Sequence, residues 1–227
     1  MTICIASICE KGKKLIVAAD QMMTASIPMP YEFETDDVQK IYPVNDTAVI
    51  LTAGNALYAY QIVENAIKRV NQEDFQGSVK EIADVVRQEF VMLRREIIER
   101  NVLEPRGLSF EDYYNFQQRL VPGVIQEIES NLVGFNLGVE LIIGGKDEEN
   151  LYHLYTVTSP GQLVNHDAIG FVCIGSGSPH ATYHLIGESY KKTMTLDKAK
   201  ELIEASKKRS EVAPGVGKAT TIKIYPE

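Results

Sequence analysis

Thr2 stands directly behind the initiating Met1. A threonine hydroxyl is a poor nucleophile until a base takes its proton, and a free α-amine, titrating at about 7.7–8.0, sits near working pH, whereas a lysine at about 10.4 does not. A threonine at the N-terminus therefore carries its own base. Threonine is small enough for methionine aminopeptidase to expose it, and while Met1 remains the residue-2 nitrogen is an amide that cannot act as a base. The other reactive residues offer less. Cys4, Cys9 and Cys173 are odd in number and lack ligand spacing, which suits buried reduced thiols. His180 and His184 have the i, i+4 spacing of a helical metal pair but bring no carboxylate with them, so no metal and no cofactor is expected.

The elements that must position these groups follow from periodicity. Residues 3–9 and 14–19 are β-prone runs around Glu10-Lys11-Gly12-Lys13, so a strand pair opens the chain and residue 2 starts its first strand. A polar, proline-containing stretch, 24–37, reads as a loop before 40–42, and 48–52 reads as a buried strand ending at Ala53-Gly54. Residues 56–70 and 79–100 have helical apolar periodicity. Between 101 and 135, Pro105, Gly107, Pro122 and Gly123 punctuate two short helices, around 109–119 and 123–132. Strands return at 139–143, 151–156 and 171–174. Ser178 as N-cap with Pro179 at the first helical position predicts a helix over 179–190, Thr195 caps another over 196–208, and 219–225 is a closing strand. Strands, a helix pair, strands, a helix pair and a strand imply an α+β fold: a four-layer αββα sandwich of two antiparallel sheets flanked by helix pairs, in a single domain spanning 1–227.

That order, with several local motifs, resembles the proteasome β-subunit and the related bacterial ATP-dependent protease ring subunit, the N-terminal-nucleophile hydrolases that use threonine. Thr2 to Gly12 matches the opening strand and turn, Val17-Ala18-Ala19-Asp20 the following strand, and Asp20 to Thr24 keeps an Asp-x-x-x-Thr spacing. Lys40-Ile41 and Ala53-Gly54 follow in register. The run LIIGGKD over 141–147, Leu154-Tyr155 and Gly175-Ser176-Gly177-Ser178-Pro179 complete the set. The chain departs from the family in a longer segment between Thr24 and Lys40, in the expanded helical segment around 101–135, and at Glu211-Val212-Ala213-Pro214-Gly215, where the family has Asp-x-x-Ser-Gly.

The resemblance implies a threonine-type endopeptidase. Thr2 would be the nucleophile, Lys40 an ammonium beside its hydroxyl, and Asp20 the carboxylate that keeps Lys40 charged and oriented. Gly54 would donate its N–H to the oxyanion, Ser176 would bond the Thr2 amine, and Glu211 would stand in for the family aspartate. Thr24 would align substrate as an added strand, and Met23, Thr52 and Ala56, with Val38, Tyr42 and Tyr60, would line an uncharged specificity pocket. The implied setting is a cytoplasmic homo-oligomeric ring that receives peptides or unfolded protein from an ATP-dependent unfoldase. Phe110, Tyr113, Tyr114 and Phe116 would offer apolar surface to neighbouring subunits. Two other functions fit the same residues: a catalytically silent ring-forming subunit, suggested by Pro214 in place of the family serine, and a small-molecule amidohydrolase on the same scaffold. Taken singly, Thr2 also reads as a strand-starting residue, Asp20 as a turn acid, Lys40 as a solvated lysine and Ser176-Gly177-Ser178 as a helix-capping turn.

Composition bounds the alternatives. The 227 residues, 44% of them hydrophobic, suffice for a sizeable core. Lys and Arg number 23 against 31 Asp and Glu, a net charge of −8 without a basic run, so nucleic acid is not an expected partner. No stretch approaches the roughly 20 apolar residues of a membrane helix, and the first residues lack the pattern of a signal peptide.

Overall fold

In the computed structural model, which describes residues 2–25, 29, 31–35, 39–72, 75 and 77–226, the apolar runs become strands buried on both faces. Strand β1 (Cys4–Cys9) pairs antiparallel with β2 (Lys14–Asp20), Cys4 opposite Ala19 and Cys9 opposite Lys14. Their turn carries positive φ at Glu10, Lys11 and Gly12 (51°, 59° and 93°), a backbone path in which glycine alone is unstrained. Because side chains alternate along a strand, Cys4, Ala6 and Ile8 of β1 enter one core cluster and Ile3 and Ile5 another. A strand with two buried faces reads as an unbroken apolar run, which is why KLIVAA and AVILTA show no polar alternation.

After β2 come β3 (Met22–Ala25) and β4 (Tyr31–Glu34), an antiparallel pair forming a small sheet of their own. The loop expected over 24–37 is thus partly strand: Tyr31 to Glu34 alternate aromatic and acid, a period of two that the flanking prolines obscured in the sequence. Next are β5 (Ile41–Pro43) and β6 (Ala48–Gly54), then α1 (Ala56–Val70) and α2 (Val79–Ile98). A π-helical turn over Glu99–Leu103 leads to α3 (Phe110–Phe116) and α4 (Pro122–Gly134). Strands β7 (Val139–Lys146), β8 (Tyr152–Thr158), β9 (Gln162–Asn165) and β10 (Phe171–Ile174) precede α5 (Ser178–Gly187), α6 (Leu196–Ser210) and β11 (Thr220–Tyr225). Strand β9 was not foreseen; it is short and largely exposed. Helix α5 stops at Gly187 rather than 190, and its N-cap is Gly177, with Ser178 already inside the helix.

The chain is therefore mixed α and β, with antiparallel sheets and packed helices. One sheet runs β10-β1-β2-β11 and the other β5-β6-β7-β8-β9. Ile50, Leu141 and Val157 of the second sheet pack with Ile62, Ile82, Val86 and Phe90 of α1 and α2. Its opposite face, through Val49, Leu51, Ile142 and Leu154, shares a cluster with Ala6, Leu15 and Val17 of the first sheet. The remaining face of the first sheet, through Ile5, Ile16 and Ala18, packs with Leu185 of α5 and Ala199, Leu202 and Ile203 of α6.

The 101–135 segment has its own small core of Ile98, Val102, Leu103, Tyr113 and Ile128. Tyr113 is fully buried there, with its hydroxyl donating to Glu129 at 2.6 Å, and Phe110 packs partly against the cluster. The apolar surface expected from four aromatic residues therefore reduces to Tyr114 and Phe116, which are exposed. Among the described residues no helix is long and apolar enough to cross a membrane.

Candidate active site

Thr2, Asp20 and Lys40 come from the start of β1, the end of β2 and the entry to β5, and all three are buried. The Thr2 hydroxyl donates to Asp20 Oδ1 at 2.6 Å and accepts from Lys40 Nζ, whose ammonium also donates to Asp20 Oδ1 at 2.7 Å. Ile3 N–H donates to the same oxygen at 3.0 Å, while Met22 and Gly217 N–H donate to Oδ2 at 3.2 and 2.8 Å. Asp20 thus collects donors from four separate stretches of chain, which fixes the carboxylate and holds the Lys40 ammonium against the Thr2 oxygen. An ammonium fixed there favours the alkoxide in a site from which water is largely excluded.

The far side of Thr2 is held by the turn between β10 and α5. Ser176 Oγ accepts from Thr2 N at 3.3 Å, and Gly177 N–H donates to Thr2 O at 3.1 Å. The Ser176 hydroxyl also lies 3.3 Å from Pro214 O, so the residue standing where the family has a serine supplies a main-chain acceptor in place of a hydroxyl. Gly175 has φ +90°, and a Cβ there would lie 2.4 Å from Thr2 O, so only glycine allows the turn to approach this closely.

Gly54 ends β6 at φ +94°, and a Cβ on it would lie 1.9 Å from Gly138 O. Asn55 follows as the N-cap of α1, its side chain accepting from Leu57 N–H. Thr2 and Gly54 border two clefts at once. The first, about 580 Å³, is also lined by Met23, Tyr42, Thr52, Ala56 and Tyr60. The second, about 800 Å³, includes Asn136, Glu140, Thr158 and Ser176. Of the expected pocket residues, Val38 lies outside the described residues. Thr24 lies in β3 opposite Glu32, its side chain outside the described part of the structure.

Glu211 is the expected site residue that the structure directs elsewhere. Its Oε1 accepts from Lys207 at 2.8 Å and its Oε2 from Lys208 at 2.9 Å, at the C-terminal end of α6. Burial works to raise the Glu211 pKa, but the bonds and charges of the two lysines outweigh it and hold the carboxyl below its ordinary value. Local i, i+4 and i, i+3 pairing on the helix has captured the carboxylate.

Two contributors escaped the sequence reading. Gly217 donates to Asp20, and Glu140 Oε2 accepts from Gly175 N–H at 2.7 Å. Their signals were a second glycine after Pro214-Gly215 and a lone acid inside the apolar run VELII. Cys4, next to this cluster, has its thiol pushed up to about 12 by burial, against a smaller opposing effect of Lys40. It therefore remains a thiol at neutral pH.

Antiparallel sheets with packed helices and a residue-2 hydroxyl set between a lysine and an aspartate can be compared with known families. The model of the family described as Proteasome subunit matches residues 109–210, which supports a proteasome β-subunit-like family for this chain. The matched span runs from α3 to the end of α6 and contains Ser176, while Thr2, Asp20 and Lys40 lie before it. No curated protein matches the chain.

Proposed function

We propose that this chain is a proteasome-like threonine peptidase, hydrolysing peptide bonds inside a self-compartmentalised ring, with Thr2 as nucleophile once Met1 is removed. The observation that carries this reading is the Thr2 hydroxyl bonded at once to Asp20 and Lys40, with Ser176 on the Thr2 nitrogen. In the processed chain the α-amine takes the proton as Thr2 Oγ1 bonds to the scissile carbonyl carbon. The Lys40 ammonium stabilises the oxygen as it gives up that proton, and the Gly54 N–H receives the oxyanion. The C–N bond then breaks as the amine returns the proton to the leaving nitrogen. Water attacks the resulting ester, releasing the acid and restoring the hydroxyl. The Met23, Thr52 and Ala56 cleft takes the side chain on the acyl side, and Thr24 aligns the substrate strand.

The same reading includes one domain over the whole chain and a four-layer αββα stacking, supported by the three core clusters that alternate helices and sheets. It also includes a cytoplasmic homo-oligomeric ring supplied by an ATP-dependent unfoldase. A second reading, a catalytically silent ring-forming subunit, is favoured by the capture of Glu211 by Lys207 and Lys208.

A peptide epoxyketone separates the two. The hydroxyl adds to the ketone and the free α-amine of the same residue then opens the epoxide, closing a ring that an amide nitrogen cannot form. The expected result is one inhibitor mass per processed subunit, located to Thr2 by peptide mapping and absent from Thr2→Ala. No uptake by a fully processed, assembled sample would establish the silent subunit instead.

A further inference from the structure

The two clefts that meet at Thr2 differ in chemistry. The first is bordered by apolar and aromatic side chains such as Met22, Met23, Phe33 and Tyr42, with Lys40 at its inner end. The second is bordered by neutral groups, polar ones such as Asn55, Asn136, Thr158 and Ser159 beside the apolar Phe135, Leu137 and Val139, and Glu140 is the one ionisable acid or base among its described lining residues other than tyrosine. Both clefts share Thr2 and Gly54. A chain whose carbonyl is held at Thr2 Oγ1 therefore occupies one cleft on its acyl side and the other on its amine side. With the acyl side in the first cleft, as the proposed reaction has it, the amine side falls to the second.

Glu140 is firmly placed there. It sits in β7, opposite Ala53 of β6 and beside the Gly54–Val139 pair, so its backbone is fixed by the central ladder of the five-stranded sheet. Its side chain is half-buried, and Oε2 accepts the Gly175 N–H at 2.7 Å. Gly175 precedes Ser176, the residue bonded to Thr2 N, so the carboxylate is braced against the same turn that braces the nucleophile. An ionised carboxylate has room for about four hydrogen bonds, and one from a neutral amide leaves its charge uncompensated. A lone carboxylate among neutral groups, partly shielded from water, attracts cations more strongly than it would in bulk solvent.

We propose that Glu140 makes the second cleft a recognition site for a cationic group on the amine side of the scissile bond. The favoured substrates carry an apolar residue before the cleaved bond and lysine or arginine just after it. The assignment of sides rests on the hydrolase reading; the preference for positive charge in the cleft does not.

The test uses three peptides identical except for Lys, Gln or Glu directly after the apolar residue. Binding to the assembled protein is followed by fluorescence anisotropy, and cleavage by mass spectrometry and kcat/KM. The expected order in affinity, and in kcat/KM for cleavage at the varied bond, is Lys over Gln over Glu. Each step is roughly three- to fivefold, the size of a partly exposed ion pair, and shrinks in high salt. In Glu140→Gln the Lys-to-Glu ratio falls towards one, while Glu140→Asp retains the order. Equal treatment of the three peptides by the unaltered protein overturns the proposal. So does a Glu140→Gln variant that slows all three alike, because Glu140 then only braces Gly175. Ordered binding without cleavage sustains the cation site and sinks the hydrolase, cleavage without order does the reverse, and neither binding nor cleavage overturns both.

Discussion

Asp20 accepts hydrogen bonds from Thr2, Ile3, Met22, Lys40 and Gly217, and Lys40 is the cation among these donors. Replacing Lys40 with alanine leaves a buried carboxylate without its counter-charge. Loss of one partner of such a pair costs about 3–5 kcal/mol of stability. Loss of a fixed electrostatic donor slows turnover by about a hundred- to a thousandfold. Thermal denaturation and single-turnover kinetics on Lys40→Ala check the two effects, and a variant as active as the parent would make Lys40 a bystander. Gly175→Ala meets Thr2 O at 2.4 Å in a backbone region that disfavours alanine. It should lower stability by about 1–3 kcal/mol and displace Thr2, read as a lower melting temperature together with slower inhibitor uptake. Thr2, Asp20, Lys40 and Ser176 could be singled out together only through the family resemblance, whose motifs fall at strand ends and turns that the apolar runs define. Glu211 was misread because the spacing of a motif says nothing about two lysines on the preceding helical turn competing for the acid. Glu140 and Gly217 were missed because their roles rest on contacts with residues remote in sequence, which no local pattern encodes.

The segment holding α3 and α4 is attached to the rest of the molecule by a few identifiable bonds. Arg94 of α2 donates to Leu132 O at 2.6 Å and to Phe135 O at 3.2 Å, satisfying carbonyls at the end of α4. Within the segment itself, Arg106 bridges to Glu127 at 2.5 Å, a partly exposed pair of lesser worth. Arg94→Ala should therefore cost about 1.5–3 kcal/mol, the range for charged hydrogen bonds, and should open the 101–135 segment to proteolysis. Unchanged proteolytic resistance would show that the small core around Tyr113 and Ile128 holds it unaided. The boundaries of α1 were readable to the residue, since helical periodicity and the Gly54-Asn55 stop coincide. The pairing of β3 with β4 was not, because β4, exposed to solvent along its length, lacks the apolar run by which buried strands are recognised.

Across the whole molecule, stability should depend on pH through His153. Its Nδ1 lies 2.7 Å from Asp167 and its Nε2 2.9 Å from Asp147, so the ring ties the end of β7 to the turn after β9. Burial alone would lower the His153 pKa, but the bonds and charges of the two carboxylates prevail and raise it. The bond from His153 lowers that of Asp147; burial opposes the same effect at Asp167, which still ends below its ordinary value. A raised histidine contributes fully below its unfolded value of about 6.5 and less as pH rises through the folded one, whereas lowered carboxylates contribute above about 4. The contribution is therefore greatest between about pH 4 and 6.5. His153→Gln should lower the melting temperature more at about pH 5.5 than at about pH 8.5, and equal losses at both would remove the histidine from the account. Assembly is the remaining expectation at this scale: light scattering should give a mass well above that of one chain, and a monomer at all concentrations would refute the ring. Finally, the Gly217 amide that completes the Asp20 shell comes 197 positions after Asp20 in the sequence. During translation Asp20 therefore emerges long before the amide that completes its shell. The order of synthesis thus delays the finished carboxylate setting until Gly217 has been made.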